Sequence, residues 1–269
     1  MDQKLYDYLV RSFSSNKRYG QNFLISERIA EAEAAHSEGK IVLEVGPGLG
    51  FLTERLCKYS KKVIAIEKDK RLYSILKMYM SNISNLELIH GDIFEIDESI
   101  IKEVDIVIAN LPYNISSRFI EWLLENNLRA VLCLQKDFVD RLIAKAGNRN
   151  YSRISILSNL NFRIIKIMDV DESAFYPKPK VKSSIIYIEP LGKDIDKETY
   201  HIIELIMQHK KKKLRNAIID SNHILKISNI TKLADSIREN LRDQRVFKLE
   251  PDALVEVARY IKDNAERFK

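Results

Sequence analysis

From residue 41 onward, short apolar runs alternate with longer amphipathic stretches, and this alternation constrains the fold more than any other feature of the chain. It is the sequence form of a mostly parallel α/β sheet. Ile41 to Val45 reads as a strand, followed by a glycine cluster and a helix from Phe51 to Tyr59. Val63 to Ile66, Leu86 to Ile89, Ile106 to Ala109 and Ala130 to Leu134 repeat the strand pattern, with helices expected over Lys70 to Met80 and Ser117 to Asn126. A helical pattern over Phe138 to Ala144 gives way to a polar loop, Gly147 to Ser152. Two later β-rich segments, Phe162 to Val170 and Ser183 to Ile188, bracket Phe175-Tyr176-Pro177-Lys178-Pro179-Lys180, which implies a long ordered loop at the sheet edge. Beyond Glu189-Pro190-Leu191-Gly192 the pattern is helical. The expected organisation is therefore an α/β domain over residues 1–190 and a small all-helical domain over 191–269.

With 269 residues, 45% hydrophobic and 30% charged, the composition is that of a soluble globular protein. Cys57 and Cys133 lie in apolar surroundings without metal-ligand spacing, so they read as reduced core thiols and no metal site is expected. The N-terminus, with Asp2, Lys4, Asp7 and Arg11, lacks a signal pattern, and no apolar run approaches the ~18 residues of a membrane span. A cytoplasmic protein with no membrane partner is expected. Of the net charge of +6, residues 191–269 carry +4, including Lys210-Lys211-Lys212-Lys213 and Arg215 in a segment otherwise patterned as a helix. Such a run is either a solvated helix face or a phosphate-binding one.

The chemistry gathers where strands end. Glu44-Val45-Gly46-Pro47-Gly48-Leu49-Gly50 closes the first strand and opens a helix, where glycines let a ligand approach the main chain. Its G-x-G-x-G spacing differs from the G-x-G-x-x-G of dinucleotide sites, and the preceding acidic residue suits a positively charged ligand rather than a pyrophosphate. S-adenosylmethionine is such a ligand; a tight turn with no ligand is the alternative. Glu67 ends the second strand, where its carboxylate can accept from both ribose hydroxyls or simply be solvated. Gly91-Asp92 follows the third, as an acceptor for an adenine amine or as an ordinary turn. All three occupy the carboxyl edge, where open α/β sheets bind ligands.

Asn110-Leu111-Pro112-Tyr113 follows the fourth strand on the same edge. A planar amine has its lone pair conjugated into the ring. The Asn110 side-chain oxygen and a neighbouring backbone carbonyl can hold the amine hydrogens and free that lone pair for attack. Pro112 contributes no competing N–H, and Tyr113 can stack on the base. Asn and Pro are also common turn residues. Trp122, on an amphipathic helix, reads as core, and no histidine has a spacing that marks a general base.

Together these residues resemble the KsgA-type rRNA adenine dimethyltransferases, with some features closer to archaeal than to bacterial members. The likeness runs from Lys17-Arg18-Tyr19-Gly20-Gln21-Asn22-Phe23-Leu24 through the glycine turn, Glu67, Gly91-Asp92, Asn110 to Tyr113 and Phe175 to Lys180 to Gln208-His209 and the basic run, nearly the whole chain. It implies a class I S-adenosylmethionine-dependent methyltransferase fold and dimethylation of N6 on two adjacent adenosines near the 3′ end of small-subunit rRNA. Asn22, Leu24, Gly46, Glu67, Asp92 and Asn110 would hold the cofactor. Asn110 and the Leu111 backbone would address the target N6, with Pro112 in the turn and Tyr113 and Phe175 sandwiching the adenine. Lys178, Lys180, Lys182, Lys210, Lys211, Lys212, Lys213 and Arg215 would contact the RNA backbone. The expected partner is small-subunit rRNA or a pre-30S-like particle, met by a monomer. Rivals are a resistance-type methyltransferase acting on large-subunit rRNA and an assembly or transcription factor that keeps the fold without catalysis. A nicotinamide dehydrogenase is disfavoured by the missing G-x-G-x-x-G.

Overall fold

The computed structural model describes residue 10, residues 21–192 and residues 195–268. The Lys17 to Gly20 part of the N-terminal motif lies outside them. The described residues form two compact units, one containing residues up to 139 with 163–190, the other residues 140–162 with those beyond 190.

The first unit is built on a seven-stranded sheet. Its strands are β2 (Ile41–Val45), β3 (Lys62–Glu67), β4 (Leu86–His90), β5 (Ile106–Asn110), β6 (Ala130–Gln135), β7 (Phe162–Val170) and β9 (Ser183–Pro190). The order is β4-β3-β2-β5-β6-β9-β7. The four pairings among β4, β3, β2, β5 and β6 are parallel, and β9 runs antiparallel to β6. Val42, Leu43, Val63, Ile64 and Ile106 to Ala109 are all buried. That is why these strands read as continuous apolar runs rather than alternating ones. Because β2 pairs with β3 on one side and β5 on the other, strand order reverses there, and the crevice at such a reversal is where open α/β sheets take ligands.

The loop between β7 and β9 does more than join them. Its Phe175–Tyr176 segment, β8, pairs antiparallel with β1 (Phe23–Leu24), matching Leu24 with Phe175. The N-terminal motif and the Phe-x-Pro-x-Pro loop are thus hydrogen-bonded neighbours.

The second unit has its own core. Tyr151, Ile156 and Leu160 pack with Ile206, Leu214, Leu233, Val246, Leu254 and Ala258, and the Tyr151 hydroxyl donates to the Leu249 carbonyl at 3.1 Å. Residues 140–162 therefore share a core with 191–268, whereas the sequence pattern put the division at residue 190 alone. They include a helix, Arg153–Asn161, that the pattern did not reveal. Its buried positions include polar Ser155, Ser158 and Asn161 beside apolar Ile156 and Leu160, so no apolar stripe stands out. The basic run also differs from expectation. The Lys197–Gln208 helix stops before it and the Leu214–Asp220 helix starts after it, so residues 209–213 form a connection. Tertiary pairing explains the break: Val246 and Phe247 N–H groups donate to the Lys212 and Lys210 carbonyls, each at 3.0 Å, and Leu214 N–H donates to Gln244 at 2.8 Å. Among the described residues no helix is long and apolar enough to cross a membrane.

Gly50 caps the Phe51–Tyr59 helix with φ +86°, and a Cβ there would lie 2.7 Å from Met80 Sδ and 2.8 Å from Leu76 Cδ2. Gly50→Ala is expected to destabilise the protein by about 1–3 kcal/mol, read as a lower urea midpoint. An unchanged midpoint would contradict the strained turn.

Candidate active site

The carboxyl ends of β2, β3, β4 and β5 open onto a cavity of about 390 Å³, within the range of small-molecule sites. Asn22, Leu24, Gly46, Glu67 and Asp92 line it, as do Asn110, Leu111, Pro112, Tyr113 and Phe175. Every residue assigned from sequence to cofactor or target base therefore borders one cavity.

Parallel register explains why they meet. Glu44 lies level with Ala65 on β3 and Ile108 on β5, so the loops after these strands leave the sheet side by side. Glu67, 5% exposed, connects them. Its Oε2 accepts from Gly48 N–H at 3.2 Å, its Oε1 from Asp69 N–H at 2.7 Å, and its backbone carbonyl from Gly91 N–H at 3.0 Å. A Cβ on Gly48, which has φ +62°, would crowd the Phe23 ring at 3.1 Å, so glycine there lets the β1 segment close over the turn. Asp92 accepts from Phe94 N–H at 3.2 Å and from Lys68 Nζ at 2.6 Å. Burial opposes its ionisation, but these two partners hold its pKa below the usual value.

Three carboxyl groups are buried around this turn. Glu44 is 2% exposed and its Oε2 has no hydrogen-bond partner; burial, with the carboxyls of Glu33 and Glu67 nearby, pushes its pKa up to about 8. Burial also lifts Glu67 to about 7, against the opposing backbone N–H bonds. Glu33, 0% exposed, is lifted by burial to about 8, and its Oε2 accepts from Asn110 Nδ2 at 3.0 Å. Such a cluster favours a cation over an anion.

Asn110 thus has its amide nitrogen engaged, while its Oδ1 is buried without a protein partner. Tyr113 is fixed by a 2.8 Å hydrogen bond between its hydroxyl and Ser183 Oγ, and Phe175 by the β1–β8 pairing. Two features at or behind the cavity escaped the sequence reading. Arg118 lies over the Phe94 ring at 3.8 Å, a contact no spacing announces. Glu33 carried a signal: it falls on the buried face of the Glu27–Ala34 helix with Ile29, Ala30 and Ala34, an acid on an apolar face. Trp122 is half-buried and stacks on Phe119 with centroids 5.1 Å apart.

The RNA candidates divide between the units. Lys178, Lys180 and Lys182 are exposed on the first. In the second, Lys211, Lys212 and Lys213 border a broad open groove of about 830 Å³ with Arg245 and Lys248, which the sequence reading had not grouped with them. Lys210 donates to the Tyr151 carbonyl at 2.6 Å. Lys212 pairs with Asp220 at 2.5 Å, Lys213 with Asp243 at 3.3 Å and Arg215 with Asp235 at 2.5 Å.

The profile of the family described as ribosomal RNA adenine dimethylase matches residues 12–254. The chain belongs to the ribosomal RNA adenine dimethylase family. A relative from Pyrococcus furiosus, described as a probable ribosomal RNA small subunit methyltransferase A, is 39% identical over 97% of this chain and 98% of its own length. A bacterial relative from Borreliella burgdorferi, described as ribosomal RNA small subunit methyltransferase A, is 32% identical over 92% of this chain and 89% of its own. Among solved structures, a dimethyladenosine transferase from Plasmodium falciparum superposes with a TM-score of 0.79 at 28% identity, covering 90% of this chain and 98% of that one. The 23S rRNA methyltransferase ErmE, at 20% identity and TM-score 0.62 over 90% of this chain and all of its own, shares the fold. The family thus carries the class I methyltransferase fold, an α/β sheet with a helical appendage.

A carboxyl whose pKa rises on folding keeps a proton that the unfolded chain has released, so stability falls as pH climbs from 4.5 through about 8. The cofactor-free enzyme is expected to lose on the order of a few kcal/mol between about pH 5 and pH 8, and Glu44→Gln to flatten part of that slope. Denaturant midpoints across this range measure it; stability that rises with pH would mean the carboxyls are ionised throughout.

Proposed function

We propose that this chain uses S-adenosylmethionine to place two methyls on N6 of each of two adjacent adenosines near the 3′ end of small-subunit rRNA. It would act as a monomer in the cytoplasm, on naked rRNA or a pre-30S-like particle. The observation that carries the reading is the placement of Asn110: it lines one cavity with the glycine turn one strand away, with Tyr113 and with Phe175, and its acceptor oxygen has no protein partner.

The residues fit the cofactor on two counts, the orphaned buried Oε2 of Glu44 and the glycine cradle at Gly48. When bound, S-adenosylmethionine supplies an electrophilic methyl on a sulfonium. Glu44 and Glu67 would balance its charge, Glu67 would also accept from the ribose hydroxyls, Asp92 would accept from its adenine amine, and Asn22, Leu24 and Gly46 would complete its site. Asn110 Oδ1 and the Leu111 carbonyl accept the hydrogens of the target N6 and direct its lone pair. Pro112 adds no competing donor. Tyr113 and Phe175 stack on the flipped base, and stacking of about 1–3 kcal/mol per base offsets much of the cost of extrusion. Catalysis is then mainly positioning, and the amine proton departs to solvent. On the helical unit, Lys211, Lys248 and Arg245, whose guanidinium also donates to the Lys211 carbonyl at 2.9 Å, supply positive charge to the RNA backbone, while Lys210, Lys212, Lys213 and Arg215 reach it by exchanging their internal partners. Lys178, Lys180 and Lys182 do so on the first unit.

Labelled S-adenosylmethionine, offered with undermethylated small subunits or with large subunits, should label only the small subunit, at adjacent adenosines located by mass spectrometry. Label in the large subunit alone would favour the resistance-type activity, and none in either would favour a non-catalytic factor. Asn110→Ala should lower turnover by at least about a hundredfold while leaving most RNA affinity; undiminished turnover would remove Asn110 from the mechanism. Lys211→Ala with Arg245→Ala should weaken RNA binding and reduce the slope of log affinity against log salt by about 1 to 2. An unaltered slope would place the RNA elsewhere.

A further inference from the structure

Asn110 and Glu33 are joined across 77 positions of sequence by a single hydrogen bond, Nδ2 to Oε2 at 3.0 Å. Glu33 is fully buried and belongs to the Glu27–Ala34 helix. It is absent from the cavity lining, whereas Asn110 is part of it. The carboxyl therefore meets the amide from behind.

A primary amide has one donor end and one acceptor end, exchanged by a half-turn of the side chain. Only one orientation serves an amine substrate, because an NH2 facing another NH2 offers no acceptor. An ionised carboxyl accepts only. A protonated one keeps a carbonyl oxygen, so Oε2 can receive the Asn110 NH2 in either state. In the cofactor-loaded site, where the sulfonium charge favours the ionised form of Glu33, turning the amide over would set oxygen against oxygen and leave a buried donor unpaired, which is costly. The remaining polar atom, Oδ1, has no protein partner.

We propose that Glu33 is a positioning residue for methyl transfer: it holds the Asn110 amide with its NH2 turned away from the substrate, so that Oδ1 is the atom presented to the target amine. The proposal rests on the role given to Asn110 above. It assigns to Glu33 no contact with RNA or cofactor. Its loss should therefore appear in turnover rather than in binding.

The test compares Glu33→Met, which keeps volume without a polar group, with Glu33→Gln, which restores an acceptor but also offers a donor. Turnover and KM are measured on undermethylated small subunits and cofactor Kd by calorimetry, with Asn110→Ala in parallel. Glu33→Met should lower kcat at least about tenfold, with KM and Kd within about threefold, and Glu33→Gln should fall between it and the parent. In protein labelled with ¹⁵N at asparagine, the Asn110 side-chain NH2 pair, identified by its absence in Asn110→Ala, should exchange slowly with solvent. That measurement needs no Glu33 variant to fold. If Asn110→Ala loses turnover while Glu33→Met keeps kcat within about twofold, or if the Asn110 NH2 exchanges freely, the positioning role is wrong and the site reading stands. If Asn110→Ala itself keeps its turnover, both fail.

Discussion

Glu67 holds three loops at once. Its carboxyl oxygens receive the backbone N–H groups of Gly48 and Asp69, and its own carbonyl receives that of Gly91. The turns after β2, β3 and β4 are thereby referred to one strand end, and parallel pairing with β5 through β2 brings Asn110 alongside. The arrangement requires a carboxyl to be buried, and two N–H bonds partly compensate for that burial without cancelling it. The left-handed backbone at Gly48 and Gly50 is the other requirement, since no side chain fits comfortably where the turn folds against Phe23, Met80 and Leu76.

Two more buried carboxyls, Glu33 and Glu44, stand behind this turn, and the three together give the cavity a charge preference that its shape alone would not. A dinucleotide site turns a helix N-terminus toward a pyrophosphate. Here the same strand-turn-helix geometry is backed by acids, two of them, Glu33 and Glu44, each with an unpartnered oxygen, which favours a cationic nucleoside ligand. One acid, Glu33, is already committed to the Asn110 amide. In the proposed function, cofactor selection and substrate orientation draw on this one buried cluster.

Much of this was legible in the sequence because the central strands are buried on both faces and bounded by turn residues. Ile41–Val45, Phe51–Tyr59, Lys70–Met80 and Phe162–Val170 fall where their patterns put them. What was not legible has physical causes. The Arg153–Asn161 helix packs polar and apolar side chains alike into the second unit, so no apolar face betrayed it. The helical pattern over Phe138 to Ala144 settles two residues earlier, as Lys136–Leu142. The basic run looked helical because lysine tolerates a helix, yet pairing with residues 244–247 holds it as a connection and brings Arg245 and Lys248 beside it. Asn110 was visible as an acceptor; that Glu33 fixes which end of its amide faces the cavity needed the fold.

In the proposed function, carboxyls whose ionisation is opposed by burial, Glu44 and Glu67 among them, are matched to the positive sulfur of the cofactor. Calorimetry of S-adenosylmethionine binding at neutral pH, repeated in buffers of different ionisation enthalpy, counts the protons exchanged. S-adenosylhomocysteine has the same groups without the sulfonium charge and serves as the control. Net proton release on binding S-adenosylmethionine, and clearly less on binding S-adenosylhomocysteine, is the predicted result. Equal exchange for the two ligands, or none for either, would contradict it.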